Sequence, residues 1–235
     1  MAKKQSSLYM TASEQIAGVV FFVIYLLVLP FATTPIFRLA ERLLATSISP
    51  AMENMIYYYV LFAVTVVIFH AFLGRTTRYL FDRFALVGRT IVAGMVAHYG
   101  FNELVYRLVN LVISSRTNLN DTTISAQIDD APRSTLLIVI FLAPFVEEVL
   151  FRGLVFGNLK NKGRPMAYAV SALLFALLHV WQFAVHHQDV TYFLVMVQYL
   201  VPGVVLAWAY EHSGTLWTAI GVHAAVNALS VLAAL

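Results

Sequence analysis

The stretch from Leu136 to Phe156 constrains this chain more than any other, because it is apolar throughout except for Glu147, Glu148 and Arg152, which fall within one hexapeptide. A run of that length reads as a membrane-spanning helix. A charge at the centre of a span costs at least ~2.5 to ~3.5 kcal/mol, so such residues pair with one another or line a functional cavity. At ~100° per residue, positions four apart share a helix face, so Glu148 pairs with Arg152 while Glu147 points elsewhere as a free carboxylate. Pro144 removes one backbone donor and frees a carbonyl a turn earlier, a defect tolerated where a helix lines protein or a water-filled cavity. A cluster that merely locks helices together is the simpler alternative, but a lock needs one acid and this run has two.

The rest of the chain supports a membrane setting. Of 235 residues, 60% are hydrophobic and 11% charged, with mean hydropathy +0.79, well above the ~45–50% apolar content of soluble domains. The expected fold is all-α, a polytopic membrane helical bundle of about seven to eight transmembrane helices. The absence of cysteine rules out disulfides, thiol catalysis and cysteine metal sites. The sequence pI of 9.2 comes from basic residues dispersed among loops, which fits orientation in a lipid bilayer; no nucleic-acid signature is present.

In chain order, residues 16–32 form an uncleaved first span and residues 35–49 an amphipathic interfacial helix or a short re-entrant segment. Residues 55–73 form a second span, entered through Tyr57, Tyr58 and Tyr59, and a basic connection over 74–89 leads to a third span over 91–113. That third span carries His98, Asn102, Glu103 and Arg107, the last two spaced to neutralise each other or to join a polar cavity. Residues 114–133, with Asn118, Asp129, Asp130 and Pro132, read as an exposed loop and divide N-terminal helices (1–133) from a four-helix core (134–235) within one integral membrane unit. The core spans are 134–159, 166–185, 192–210 and 216–235, the third interrupted by Pro202 and Gly203. An N-terminus on the cytoplasmic side of the cell membrane places Lys3, Lys4, Arg75, Arg78, Arg83, Arg89, Lys160, Lys162 and Arg164 inside, against Arg38, Arg42, Arg116 and Arg133 outside.

Two further polar pairs lie in the core, Phe175 with His179 and His223 with Asn227, each four apart. Counted at ~1.5 Å per residue from the cytoplasmic ends, Glu147 lies ~16 Å deep, His179 ~20 Å, and His223 and Asn227 ~10 and ~17 Å. Three spans thus bring polar faces to one slab. A carboxylate and an imidazole can together deprotonate water, which makes Glu147 and His179 a base pair. His223 and Asn227 can supply two donors to an oxyanion, so acyl transfer to water is the simplest reaction. Glu147, His179 and His223 also form a two-histidine, one-carboxylate set of the hydrolytic zinc type, although no HExxH sequence accompanies it, so metal-free and zinc chemistry both stay open. Asn227 alone has a plainer reading as an interhelical hydrogen-bonding group, and Phe175 as packing. His186, His187 and His212 fall at span ends and are left out of the site.

The ordered set EExxxR (Glu147, Glu148, Arg152), FxxxH (Phe175, His179) and HxxxN (His223, Asn227) resembles the CAAX protease and bacteriocin-processing family, also called the Abi family, over residues 134 to about 230. The resemblance implies an intramembrane endopeptidase in which Glu147 and His179 activate water, His223 and Asn227 stabilise the oxyanion, and Glu148 with Arg152 supports the site. Many members of that family are called metalloproteases. Its eukaryotic and archaeal members cut prenylated CAAX proteins, and its bacterial members include bacteriocin self-immunity and peptide-processing proteins. Compact size and short loops point to the bacterial branch and to a membrane-associated peptide or protein substrate. Two other classes use the same residues: a non-catalytic immunity protein that binds and shields a receptor, which survives loss of Glu147, and a small transporter, which shows flux in vesicles.

Overall fold

The computed structural model describes residues 9–110 and 119–234. Lys3, Lys4, Arg116 and Asn118 lie outside the described residues. Among the described residues ten helices follow in order: α1 (Ala12–Leu44), α2 (Pro50–Ile68), α3 (His70–Asp82), α4 (Phe84–Asn110), α5 (Leu119–Asp130), α6 (Pro132–Leu159), α7 (Arg164–Leu178), α8 (Trp181–His186), α9 (Val190–Ser213) and α10 (Leu216–Ala234). No strand occurs among the described residues. The chain is a polytopic helical membrane protein: α1, α2, α4, α6 and α9 are long and apolar enough to cross a bilayer, and α7 and α10 are shorter apolar helices.

Helix α6 is the centre of the bundle. Buried residues make up 67% of its apolar window, against 11 to 22% in the other four long helices. Those outer helices turn residues such as Ile16, Val67, Val92 and Val96 outward, the lipid-facing surface of a bundle whose core is already filled. Behind α6, Val149, Leu150, Phe151, Leu154 and Phe156 pack with Phe69, Phe72, Leu206 and Tyr210 in one core. Helices α7 and α9 meet where Gly203 faces Ala172; a Cβ on Gly203 would lie 2.8 Å from the Ala172 Cα, so only glycine permits this approach.

A recurrent device carries prolines through the spans. In α1 a π turn over Ile24–Val28 precedes Pro30, and in α6 a π turn over Ile138–Leu142 precedes Pro144. In each, the residue just before the proline bonds five residues back, Leu29 to Ile24 and Ala143 to Ile138. The widened register absorbs the missing proline donor without breaking the rod.

Several sequence expectations are corrected here. Residues 35–44 are not a separate interfacial or re-entrant element: they continue α1, which runs through Pro35 to Leu44 and stops where Ala45 turns left-handed at φ 50°. The resulting 33-residue rod is ~50 Å long, beyond the ~30 Å hydrocarbon, so it tilts or projects. The expected span over 55–73 ends at Ile68, and its last residues, Phe72 and Leu73, belong with Thr76 to the buried stripe of α3, so the basic connection over 74–89 is helical on either side of Arg83. The Phe72 N–H donates to the Glu14 carboxylate at 2.6 Å and Arg75 pairs with that acid at 3.2 Å. Residues 119–130, expected as loop, form α5, because Ile124 and Ile128 share a face and pack against Val139 and Val231. Finally, α7 ends at Leu178 with His179 as its cap, so the expected span over 166–185 is a helix followed by the short α8.

Candidate active site

Position and burial set the roles available to the charged cluster. Glu148 and Arg152 are completely buried and paired at 3.1 Å, the contact their four-residue spacing predicts. Arg152 also donates to the Gly203 carbonyl at 3.2 Å, and its guanidinium carbon lies 4.2 Å from the centre of the Phe175 ring. Phe175 is therefore more than filler: it stacks beneath the cation and packs edge-on to His223 and against His179, with centroids 5.8 and 4.6 Å apart. The same Glu148 oxygen that holds Arg152 lies 2.9 Å from His223 Nδ1. A carboxylate accepts, so Nδ1 carries the proton and the ring is fixed with Nε2 outermost.

Glu147 takes no part in this network. It is buried, its Oε2 has no hydrogen-bond partner among the described residues, and it borders a cavity of about 690 Å³. Across a 4.0 Å gap lies His179 Nε2. The other nitrogen of that ring, Nδ1, sits 2.8 Å from the Phe175 carbonyl, which can only accept, so in the neutral ring Nε2 presents a lone pair. Two acceptors 4.0 Å apart can each lie ~2.8 Å from one water and take its two protons. Tyr199 stacks on His179 at 4.4 Å and 23° and fixes the plane of the ring.

Asn227 has a structural partner. Its amide donates to the Val139 carbonyl at 2.9 Å, the acceptor that a donor at position 144 would use in the π register of that turn and that Pro144 leaves free. One N–H of Asn227 is thus used to tie α10 to α6, although the residue still borders the cavity.

All four expected catalytic residues, Glu147, His179, His223 and Asn227, and Phe175 with them, line this one cavity. Glu148 and Arg152 stand behind it. The zinc alternative fits less well: among the described residues no group of three or more histidine, aspartate or glutamate side chains is placed to hold a metal ion. Glu103 and Arg107 pair with each other at 2.6 Å on an exposed face and do not border the cavity.

The cavity wall also contains residues that motif reasoning passed over: Asn54 and Tyr58 of α2, His98 and Asn102 of α4, Thr123 and Gln127 of α5, and Gln198 and Tyr199 of α9. His98 and Asn102 are four apart within a span, the same signal that marked the core pairs. Nothing in the sequence distinguishes Tyr199 or Gln127.

Residues 130–229 match the family model described as Type II CAAX prenyl endopeptidase Rce1-like. The resemblance carried by the three motifs is thereby upheld over that segment. A relative from Lactococcus lactis subsp. lactis (strain IL1403), the UPF0177 protein YxdF, is 30% identical over 129 residues. That alignment covers 54% of this chain and 65% of the relative, so the chain spans a little under two thirds of the relative's length. No solved structure matches.

Proposed function

We propose that the chain is an intramembrane endopeptidase that hydrolyses peptide bonds of membrane-associated peptides or proteins without a covalent enzyme intermediate. The observation that carries this reading is the buried, unpartnered Glu147 Oε2 set 4.0 Å from His179 Nε2 on a cavity within the bundle. A water held between them gives a proton to Glu147 as its oxygen bonds to the scissile carbonyl carbon. The carbonyl oxygen becomes an oxyanion and accepts hydrogen bonds from His223, whose Nε2 donates when the ring is an imidazolium, and from the second N–H of Asn227. When the carbon–nitrogen bond breaks, the carbonyl re-forms and the proton held by Glu147 passes to the departing amine. Glu148 and Arg152 act behind the cavity, keeping His223 in one orientation. The name of the matched family supports the reaction class.

The biological setting is proposed in the same spirit: a bacterial cell membrane, an N-terminus facing the cytoplasm, and a role in bacteriocin self-immunity or peptide processing. A Lactococcus relative and the basic residues of the second and fourth connections, Arg75, Arg78, Arg83, Arg89, Lys160, Lys162 and Arg164, support it.

The test is to reconstitute the full chain in liposomes with fluorogenic prenylated and bacteriocin-derived peptides and to identify products by mass spectrometry, with and without a chelator. New termini at one peptide bond, lost in His179→Ala, support the proposal. Intact peptides together with solute flux would replace it with a transporter.

A further inference from the structure

Outside the three motifs, one buried titratable side chain faces the proposed reaction centre with nothing to bond. His98 lies on α4, in the N-terminal half of the chain, is 9% exposed and borders the same cavity as Glu147, His179 and His223. Its one ring contact is an edge-on packing against Tyr99, and neither nitrogen is hydrogen-bonded among the described residues. The ring nitrogens are not among the fully enclosed polar atoms, so they open onto the cavity and a bound substrate can reach them.

Its placement is fixed by the meeting of α4 and α10. A Cβ on Gly94 would lie 2.8 Å from Val222 Cγ2, and a Cβ on Gly221 2.8 Å from Ile91 Cδ1, so glycines on both helices allow close contact. One turn further along, the Tyr99 hydroxyl reaches the Val226 carbonyl at 3.5 Å. His98 and His223 sit between these contacts, on helices held side by side.

We infer that His98 is a further oxyanion donor, binding the scissile carbonyl oxygen of the substrate beside His223 and Asn227. The inference rests on the hydrolytic reading above. The donors assigned from the motifs are each partly committed: Asn227 gives one N–H to Val139, and His223 Nδ1 is bound to Glu148, so its Nε2 donates only when the ring is an imidazolium. A neutral imidazole always carries one N–H, and that of His98 is uncommitted. Asn227 keeps its second N–H for the oxyanion while the first holds α10 against the π turn of α6. No atom is transferred to or from His98; it accepts no proton and stabilises charge only as the tetrahedral species forms.

The experiment compares parent, His98→Phe and His98→Gln as full chains in liposomes, measuring kcat and KM for peptide cleavage and the affinity of a phosphinic peptide, a stable mimic of the tetrahedral species. Loss of one preorganised donor lowers kcat ~10²- to 10³-fold. His98→Phe should show that loss with KM nearly unchanged and weakened phosphinate binding, while His98→Gln, which keeps an N–H donor, recovers part of both. A structural role would instead lower the unfolding temperature and leave the kcat of the folded fraction intact. An active parent with His98→Phe within twofold of its kcat overturns the inference and leaves the hydrolytic reading standing. A parent that neither cleaves peptide nor binds the phosphinate overturns both.

Discussion

Replacing Arg152 by leucine isolates the energetics on which the site rests. The substitution removes the 3.1 Å ion pair to Glu148, the 3.2 Å bond to the Gly203 carbonyl and the stacking on Phe175. It leaves Glu148 as a carboxylate with no exposed surface. Breaking a buried pair by removing one partner costs about 3–5 kcal/mol, because the remaining charge has neither water nor a counter-ion. At roughly 2–4 °C per kcal/mol for a chain of this size, the loss amounts to a fall of about 6–20 °C in unfolding temperature. The double variant Glu148→Leu with Arg152→Leu removes both charges together, and replacing a buried pair by apolar residues is commonly neutral or stabilising by ~1–4 kcal/mol. It should therefore unfold close to the parent and well above Arg152→Leu alone. It should nonetheless be catalytically poor, because His223 has lost the carboxylate that orients it at 2.9 Å. Intrinsic fluorescence of the three tryptophans during heating in detergent follows all three variants against the parent. An Arg152→Leu protein that unfolds within 2 °C of the parent, or a double variant no more stable than the single one, would refute the reasoning.

Other substitutions test other parts of the account. Gly203→Val forces a side chain onto the Ala172 backbone at a contact of 2.8 Å and should cost ~1–3 kcal/mol by overpacking, read as a lower unfolding temperature. Asn227→Ala strips the Val139 carbonyl of its partner and should cost ~0.6 to ~1.7 kcal/mol in the membrane, measured by unfolding in mixed micelles. Glu14→Gln weakens the pairing with Arg75 and the cap on the Phe72 N–H, so α3 should become more accessible to hydrogen exchange while cleavage by folded protein continues. Since water is activated by Glu147 and His179 alone in this scheme, activity should survive a chelator; loss that zinc restores would assign the metal a required role.

The sequence was most informative where chemistry forces an exception to its surroundings. Charges in an apolar run located α6, and four-residue spacing on a helix anticipated the Glu148–Arg152 pair and the grouping of Phe175 with His179 and His223 with Asn227. The reading was weakest where two signals compete. In α3 the stripe of Phe72 and Leu73 continues through Thr76 past the expected end of the second span, beneath arginines that read as a connection, and in α5 asparagines and aspartates outweighed Ile124 and Ile128. Pro35 suggested a boundary that α1 does not observe, because backbone bonding along a continuous rod outweighs one missing donor. The link between Pro144, the π turn and Asn227 could not be read from sequence at all. It depends on a backbone register that spacing does not encode, and on α10 arriving beside that turn. His98 was visible as a polar residue in a span, but only the packing of α4 on α10 shows that it faces the cavity.

The central claim is that Glu147 removes a proton from the attacking water. Glu147→Gln keeps the size and shape of the side chain and removes its basicity, so steady-state cleavage by this variant and the parent, in identical liposomes and with matched unfolding temperatures, tests the claim most directly. The account predicts a loss of at least ~10²-fold in kcat, the lower end of what a positioned general base contributes. Cleavage by Glu147→Gln at the parental rate, at the same peptide bond, would contradict it.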